Sequence, residues 1–443
     1  MFLGKFAKLN HNLIKFFGLF LAFLMLFSAF TGSASSVEVQ AKKSKTADTE
    51  ETVTEPAFVN EEGAKFTDSR IEYTVLVPAT EETPGKVSVS GNTLKKKTKT
   101  VTIPEIVIYE GYKYFPYSIG PYAFVGSGLT SIVFEDDIYG IGEYAFAMSS
   151  LESIEIPETV KEIGAGAFAL SNSLKSVSIG RFTADIAQNA FSYCDSLTEL
   201  TIAAKNKNYA AVDGIIYNRK KTLLISGAAA EGDIVIPASV KKLSAYAFEG
   251  NHKITSVDLG EKIRQIPEDA FYDCSALSKI VIGKNVTKIS GNPFKYCSSL
   301  KSFDVDAENS KYRGAGPMLY SKTGLTLYAY PSAKGSLAIP SGVKTIGEYA
   351  FCGSGLTELS IPANVKNISK GAFYDCAELE EVSFEKRNIN LFADTASTED
   401  MIFGNAMPYL VIVLPYSKDS NQAGSVEEIL KLNCPSTVII VNK

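Results

Sequence analysis

The sequence predicts a right-handed β-rich solenoid, a stack of short coils joined through a parallel sheet. Three observations predict it. Ala-Phe pairs recur in register, ending at Phe124, Phe146, Phe168, Phe191, Phe248, Phe271, Phe351 and Phe373, and Pro293-Phe294 takes the same place in a ninth copy. Successive phenylalanines lie 22, 22, 23, 57, 23, 23, 57 and 22 residues apart, and a shift of 103 residues carries Phe168, Phe191 and Phe248 onto Phe271, Phe294 and Phe351. Between them the run L-x-x-I-x-I, as in Leu151 to Ile156, alternates apolar and polar residues at the period of a strand that buries one face. Self-similarity at a fixed short period is the signature of a repeat architecture.

Length and composition fit a folded chain and narrow its function. With 443 residues, 45% hydrophobic and 21% charged, it has the make-up of a globular protein. Length alone suggests about three domains, but internal repetition replaces that reading with one solenoid. Lys+Arg 44 against Asp+Glu 49 leaves a net charge of −5, the wrong sign for a nucleic-acid partner. His11 and His252 are the only histidines and tryptophan is absent, so a multi-histidine metal site cannot be assembled. We therefore expect no cofactor, no metal site and no enzymatic activity.

The chain opens like an exported protein. Lys5, Lys8 and Lys15 precede the uncharged run Phe16 to Phe30, and small residues follow from Thr31 to Ser36. A basic head, an apolar stretch and a small-residue cleavage region make a secretory signal peptide. The apolar run rises only about 22 Å as a helix, short of the roughly 30 Å hydrocarbon core, which disfavours a retained span. Cleavage fits after Ala34 or after Ala41; the latter removes three lysines and Glu38 and takes the net charge to −7. Residues 42–56 are polar and lack aromatics, as a solvated linker does.

The next elements form a lid. Ile71 to Val77, Lys86 to Ser90 and Thr100 to Ile108 read as strands, followed by an aromatic cluster of Tyr109, Tyr112, Tyr114, Phe115 and Tyr117. An N-terminal β cap is thus expected over 57–118 and the solenoid over 119–415. Within each coil Pro157 and its equivalents end the strand, because proline cannot donate to the ladder, while Gly142 and Gly164 permit turns that a side chain would obstruct. One coil cannot bury its own apolar side, so each strand must add in parallel at about 4.8 Å.

Two 34-residue insertions, at about 204–237 and 307–340, align under the same shift: Tyr217 with Tyr320, Leu224 with Leu327 and Ile236-Pro237 with Ile339-Pro340. Gly214 to Tyr217, a polar turn, and Thr222 to Ile225 read as a β-hairpin, expected to pack on the edge of the stack. It either widens the wall or binds a partner. At the far end, Tyr409 to Pro415 is a degenerate last copy. Within a C-terminal cap over 416–443, Ser425 and Glu428 form a capping box before a short helix through Ile429 to Leu432, and Thr437 to Val441 reads as a final strand.

These residues resemble leucine-rich repeats, specifically the BspA-like subtype of bacterial surface proteins, whose repeat reads I-G-x-x-A-F-x-x-C-x-x-L-x-x-I-x-I-P-x-x-V. The resemblance covers roughly Tyr73 to Pro415. It departs from the commoner leucine-rich subtype at Thr159, where an asparagine usually bonds along the turn, so ordinary horseshoe curvature is not assumed. The resemblance implies similar hairpins in relatives, and a role in surface adhesion or in contact with host proteins, neighbouring cells or matrix.

The chemistry-bearing residues have structural readings. Cys194, Cys274, Cys297 and Cys376 each follow a repeat phenylalanine by three residues, so they share one interior slot and read as buried free thiols; only Cys274 and Cys297 make a pair worth testing for a disulfide. Cys352 and Cys434 have no evident partner. His252 would make a dyad with Cys274 only if an acid or amide oriented its ring, and none is evident in the sequence. Asp136-Asp137 and Glu380-Glu381 read as solvated acids.

The outward strand positions are the more informative set. They include Ser153/Glu155, Ser176/Ser178, Glu199/Thr201, Ser256/Asp258, Lys279/Val281, Ser302/Asp304, Glu358/Ser360 and Glu381/Ser383. This face is small, hydroxylic and acidic. It suits either close stacking of coils or a polar platform for an extracellular protein or glycan; sugar stacking would need exposed tyrosines. The candidate partner-binding residues are Glu155, Glu199, Asp258, Asp304, Glu358, Glu381, Tyr217 and Tyr320. The expected protein is a secreted or cell-surface monomer that binds without catalysis and has no membrane contact after signal cleavage. A spacer without its own ligand is the rival, and a carbohydrate-active enzyme the third reading.

Overall fold

A computed structural model describes residues 59–95, 97–386, 389–391, 401–405, 410–414 and 439–442. The export segment, the 42–56 linker, the 429–432 helix and Cys434 lie outside the described residues. Among those described, every regular element is a strand.

The expected parallel strands form the first wall of a solenoid. Ser153–Glu155, Ser176–Ile179 and Glu199–Ile202 pair in parallel, with Val177 between Ile154 and Leu200. Gly232–Val235, Ile254–Asp258, Lys279–Ile282 and Ser302–Val305 form a second sheet, and Lys334–Ala338, Gly355–Ile361, Glu381–Phe384, Val411–Leu414 and Ile439–Asn442 a third. The final strand and the degenerate last copy therefore pair with each other. A second wall arises from the Ile-Gly positions: Gly140–Ile141, Glu162–Ile163 and Asp185–Ile186 pair in parallel, one two-residue strand per coil. Gly164 is needed there for close approach, since an added Cβ would lie 2.7 Å from the Glu143 nitrogen of the preceding coil.

Phenylalanine fills the interior between the walls. The rings of Phe124, Phe146, Phe168 and Phe191 stack at 5.3 to 5.4 Å with interplanar angles of 6 to 9°. Phe248, Phe271 and Phe294 continue the pattern, and so do Phe351, Phe373 and Phe403. Phe403 is a tenth ring hidden from the Ala-Phe pattern, because Ile402 precedes it. Burying each ring stabilises the stack by about 1.5–3 kcal/mol.

The corner beside each ring has a conformational rule that residue type conceals. The second residue after every stacked phenylalanine has positive φ: Gly126, Met148, Leu170, Tyr193, Gly250, Asp273, Tyr296, Gly353, Asp375 and Asn405. Most of these carry a side chain that disfavours the left-handed region. Packing between coils holds them there, as local strain requires.

The insertions differ from the expected hairpin. Each adds a third antiparallel strand: Tyr209–Val212, Ile215–Asn218 and Leu223–Ser226 form a meander, as do Tyr312–Ala315, Met318–Ser321 and Thr326–Ala329. Gly214 belongs to the turn, at φ +73° beside Asp213 at +49°. The third strand of each meander is the short strand of an additional coil, since Leu224 pairs in parallel with Leu243 and Leu327 with Ile346. The hairpins enter the stack instead of lying on its edge. Ile216 packs into the preceding core, while Ile215 and Tyr217 pack into the following one, so the strand is a septum buried on both faces. Leu319 and Tyr320 divide the next pair of cores in the same way.

The expected N-terminal strands are present with one break, and the last of them already belong to the stack, since Thr100–Ile103 pairs in parallel with Ser131–Phe134 and Tyr112–Ile119 with Gly140–Ile141, so coiling begins before residue 119. Ile71–Val77 pairs antiparallel with Lys65–Asp68 and with Gly85–Asn92, which runs parallel to Tyr112–Ile119. Pro104 interrupts the expected 100–108 strand, leaving Thr100–Ile103 and Val107–Tyr109 in different sheets. Phe66 stacks on Tyr73 and Tyr109 beneath the first coil, which closes the apolar end.

Candidate binding face

The first wall turns alternate side chains outward, in register. Ser153, Ser176 and Glu199 form one row, and Glu155, Ser178 and Thr201 the next. Glu155 and Glu199 are exposed. In the third sheet Glu358 lies directly beside Glu381, both exposed. Like charges on neighbouring strands repel, so this pair costs the sheet some stability.

The acids of the middle sheet are already partnered within it. Asp304 is exposed but meets Lys279 Nζ at 2.7 Å and accepts a bond from Ser302. Those two bonds hold its carboxyl below the usual carboxylate range. Asp233 accepts from Ser256 and Thr255 at 2.6 and 2.7 Å and is lowered by both bonds. Asp258 is part-buried and accepts the Gly260 N–H at 2.8 Å. The six candidate acids thus do not make one uniform platform.

Two candidates fail outright. Tyr217 and Tyr320 are only 3% and 4% exposed, because their strands are septa flanked by apolar cores, and no partner reaches them. Burial also pushes the Tyr217 hydroxyl up to about 12.

The cysteine slot has a definite task. Cys194, Cys274, Cys297 and Cys376 are buried and free, and their thiols donate to the carbonyls of Phe168, Phe248, Phe271 and Phe351 in preceding coils. Ser171 Oγ donates to Phe146 and Asn251 Nδ2 to the Gly227 carbonyl from the same slot. Cys274 and Cys297 are not joined. Cys352 occupies a different buried place beside Tyr296 and Tyr349.

His252 also departs from expectation, because one acid does orient it and a second stands near. Nδ1 lies 2.8 Å from Asp195 Oδ1, and Nε2 lies 3.7 Å from Asp273 Oδ2. Burial opposes the imidazolium, but the two aspartates outweigh it and raise the ring to about 10. The ring is thereby a fixed cation, while the Cys274 thiol faces a backbone carbonyl; the pair is no dyad. Ser192 donates to Glu249 at 2.8 Å nearby. The part-buried Glu249 carboxyl is pushed up to about 7 by loss of hydration. Asp195, Glu249, Asp273 and Lys295 were invisible in the sequence as a group. Their common signal is a location one, two or four residues after a repeat phenylalanine.

The chain is similar to several solved structures and to one protein family. A leucine-rich repeat protein from Eubacterium ventriosum is 22% identical over 71% of this chain and 82% of its own, with a TM-score of 0.47. A leucine rich cell surface protein from Faecalibacterium prausnitzii is 21% identical over 87% and 97%, with a TM-score of 0.39. The pneumococcal vaccine antigen PcpA is 16% identical over 86% and 99%, also at 0.39. No curated protein matches the sequence. The family described as BspA type leucine rich repeat region matches residues 97–212, 231–333 and 327–407. With its coils, ring stack and thiol slot accounted for by that repeat, the chain belongs to the BspA-type leucine-rich repeat family.

Proposed function

We propose that this is an exported, non-catalytic protein that binds an extracellular protein or glycan through the outward face of its first wall. The observation that carries the reading is the adjacent exposed pair Glu358 and Glu381, together with the exposed Glu155 and Glu199, which stand two strands apart in neighbouring rows, all set among small hydroxyl side chains on hydrogen-bonded strands. Such a surface is pre-organised, so a ligand orders few groups on binding. Family membership and the basic-then-apolar N-terminal sequence support an extracytoplasmic location.

The spacer reading has its own support, in the middle sheet where Asp233 and Asp304 are satisfied by their neighbours. Binding of the chain to immobilised matrix glycoproteins separates the two. Loss of binding on Glu155→Lys with Glu199→Lys, or on Glu358→Lys with Glu381→Lys, is the expected result. Binding untouched by both double variants moves the site off this face, and no binding at all favours the spacer.

A further inference from the structure

A cleft of about 390 Å³ lies between the N-terminal cap and the coil that carries Phe124. Glu72, Asn92 and Lys95 line it from the cap, and Tyr122, Gly126 and Ser127 from the coil. Asn92 bridges the two sides, its Nδ2 donating to the Ala123 carbonyl at 2.6 Å. The space is open because the corner beside this ring is bare: Gly126 stands where the next two coils carry Met148 and Leu170, and a Cβ added to it would meet nothing within 4 Å. The volume suits a small-ligand site. The exposed glutamates of the first wall do not line it, so it is a separate site.

Three polar groups lining the cleft have no partner among the described residues. The Ser127 hydroxyl oxygen is buried and makes no hydrogen bond. Neither the half-buried Glu72 carboxylate nor the exposed Lys95 ammonium enters an ion pair or a hydrogen bond. Buried hydroxyls are normally bonded, so an orphan on a cleft wall marks where a bound molecule completes the bonding. Tyr122 adds a flat surface whose plane is fixed by stacking on Tyr144 at 5.5 Å. The charge is lopsided as well. Lys95 opens the run Lys95-Lys96-Lys97-Thr98-Lys99, in which Lys97 and Lys99 are exposed, and Lys99 Nζ lies 3.4 Å from the Gly128 carbonyl on the cleft floor. Glu72 is the only acid among the lining residues, so a chain of net charge −5 is locally cationic here. A lysine run of this kind selects anions.

We propose that the cleft binds one acidic sugar unit of a polyanionic polysaccharide. A uronic acid answers every group present: its carboxylate accepts from Lys95, its hydroxyls donate to Glu72 and exchange bonds with Ser127, and the apolar face of its ring lies on Tyr122. Lys97 and Lys99 meet the acid groups of neighbouring units outside the cleft. A neutral sugar leaves Lys95 unanswered. A free amino acid answers both charges but brings no net negative charge to the lysine run.

Calorimetric titration of the full chain with a hyaluronan hexasaccharide tests this, with cellohexaose as the neutral control. The acidic hexasaccharide should bind saturably, more weakly as salt screens the lysines, and cellohexaose should not bind. Lys95→Gln should weaken binding about tenfold, the loss of one charge-assisted bond. Ser127→Ala should weaken it about threefold while leaving the melting temperature unchanged, because the hydroxyl it removes bonds nothing in the protein. Gly126→Asn should abolish binding by filling the floor; asparagine is at home in this corner, as Asn405 is in its own coil. Equal affinity for cellohexaose, binding of neither saccharide, or binding unaltered in both Lys95→Gln and Gly126→Asn overturns the proposal. Capture of phosphatidylserine vesicles by a chain that ignores the hexasaccharide also overturns it, and makes the lysines a lipid contact.

Discussion

The two junctions where insertions enter the stack lie 103 residues apart and share a backbone frame while differing in the side chains hung on it. Asn206 and Asn309 make the same bonds: Nδ2 donates to Gly180 and Thr183 carbonyls in one, and to Gly283 and Val286 in the other. Each Oδ1 accepts the backbone N–H groups of residues two and three positions on. Tyr209 and Tyr312 accept the N–H of Ile186 and Ile289, capping the second wall where pairing stops. The ring slot differs: Gly227 lies flat against Phe248, whereas Tyr330 fills the equivalent place 5.9 Å from Phe351. The seam differs as well, with His252 against Asp195 at the first junction and Tyr296 bonded to Asp375 at the second. Where an unpaired backbone group must be satisfied the residue repeats; where only side chains meet, chemistry is free to diverge.

The ring stack gives the largest test of this division. Phe271 has ring neighbours on both faces, whereas Phe248 has one ring and a glycine. Replacement by alanine at Phe271 should cost about 3–5 kcal/mol in denaturant unfolding, and Phe248→Ala should fall at the lower end of that range. Equal losses would show that ring-on-ring contact adds nothing beyond burial.

Shared asparagines come next. Asn309→Ala orphans the Val286 carbonyl and takes Oδ1 from two N–H groups, while the Gly283 carbonyl keeps the Val286 N–H; each buried orphan costs about 1–3 kcal/mol where water cannot replace it. Asn206→Ala should lose a similar amount, because there too one of the two carbonyls keeps a donor, Thr183 from Asn208 Nδ2. A clear inequality would mean the frames are less alike than their hydrogen bonds.

A smaller effect separates the junctions at one residue. Gly314 faces the Phe303 carbonyl so closely that an added Cβ would lie 1.7 Å from its oxygen, yet its counterpart in the first insertion is Ala211. Gly314→Ala should cost about 1–3 kcal/mol as overpacking, while Ala211→Gly should cost only about 0.5–1 kcal/mol of strand rigidity. Thermal unfolding of the two variants measures the contrast.

The same division governs what was legible beforehand. Phe146, Ile154 and Cys194 repeat at fixed places, so the rings, the first wall and the thiol slot could all be read. The meander's first strand was missed, although Asp213-Gly214 is a hairpin dipeptide, because the apolar run after it drew the boundary one turn late. The positive-φ corner could not be read, since Met148, Leu170 and Tyr193 adopt it only through packing. Tyr217 looked like a contact residue because strand alternation assumes one wet face, and a septum has none. Glu155, Glu199, Glu358 and Glu381 were placed correctly by period alone, whereas the neutralising of Asp304 by Lys279 depends on register between coils.

The last expected difference concerns pH and belongs to the first junction only. His252 is raised from 6.5 to about 10 in the fold. A raised basic group contributes stability that is complete below 6.5 and is lost as pH climbs to about 10. Glu249, raised from 4.5 to about 7, also binds its proton more tightly when folded, so its contribution declines over that lower window. Both act in one direction: the seam weakens as the solution becomes alkaline. The charges facing the ring are Asp195 and Asp273, and the Tyr193 hydroxyl, held well above its ordinary value by burial, stays neutral through the window. Lys253, lowered by burial, is common to wild type and variant. The difference between wild type and His252→Gln therefore isolates the imidazolium. Unfolding midpoints should converge as pH rises from 6.5 to about 10 and stay parallel below it. Midpoints parallel across the whole range would mean that the aspartates do not hold the ring as a cation, and would leave the first junction secured by its backbone frame alone.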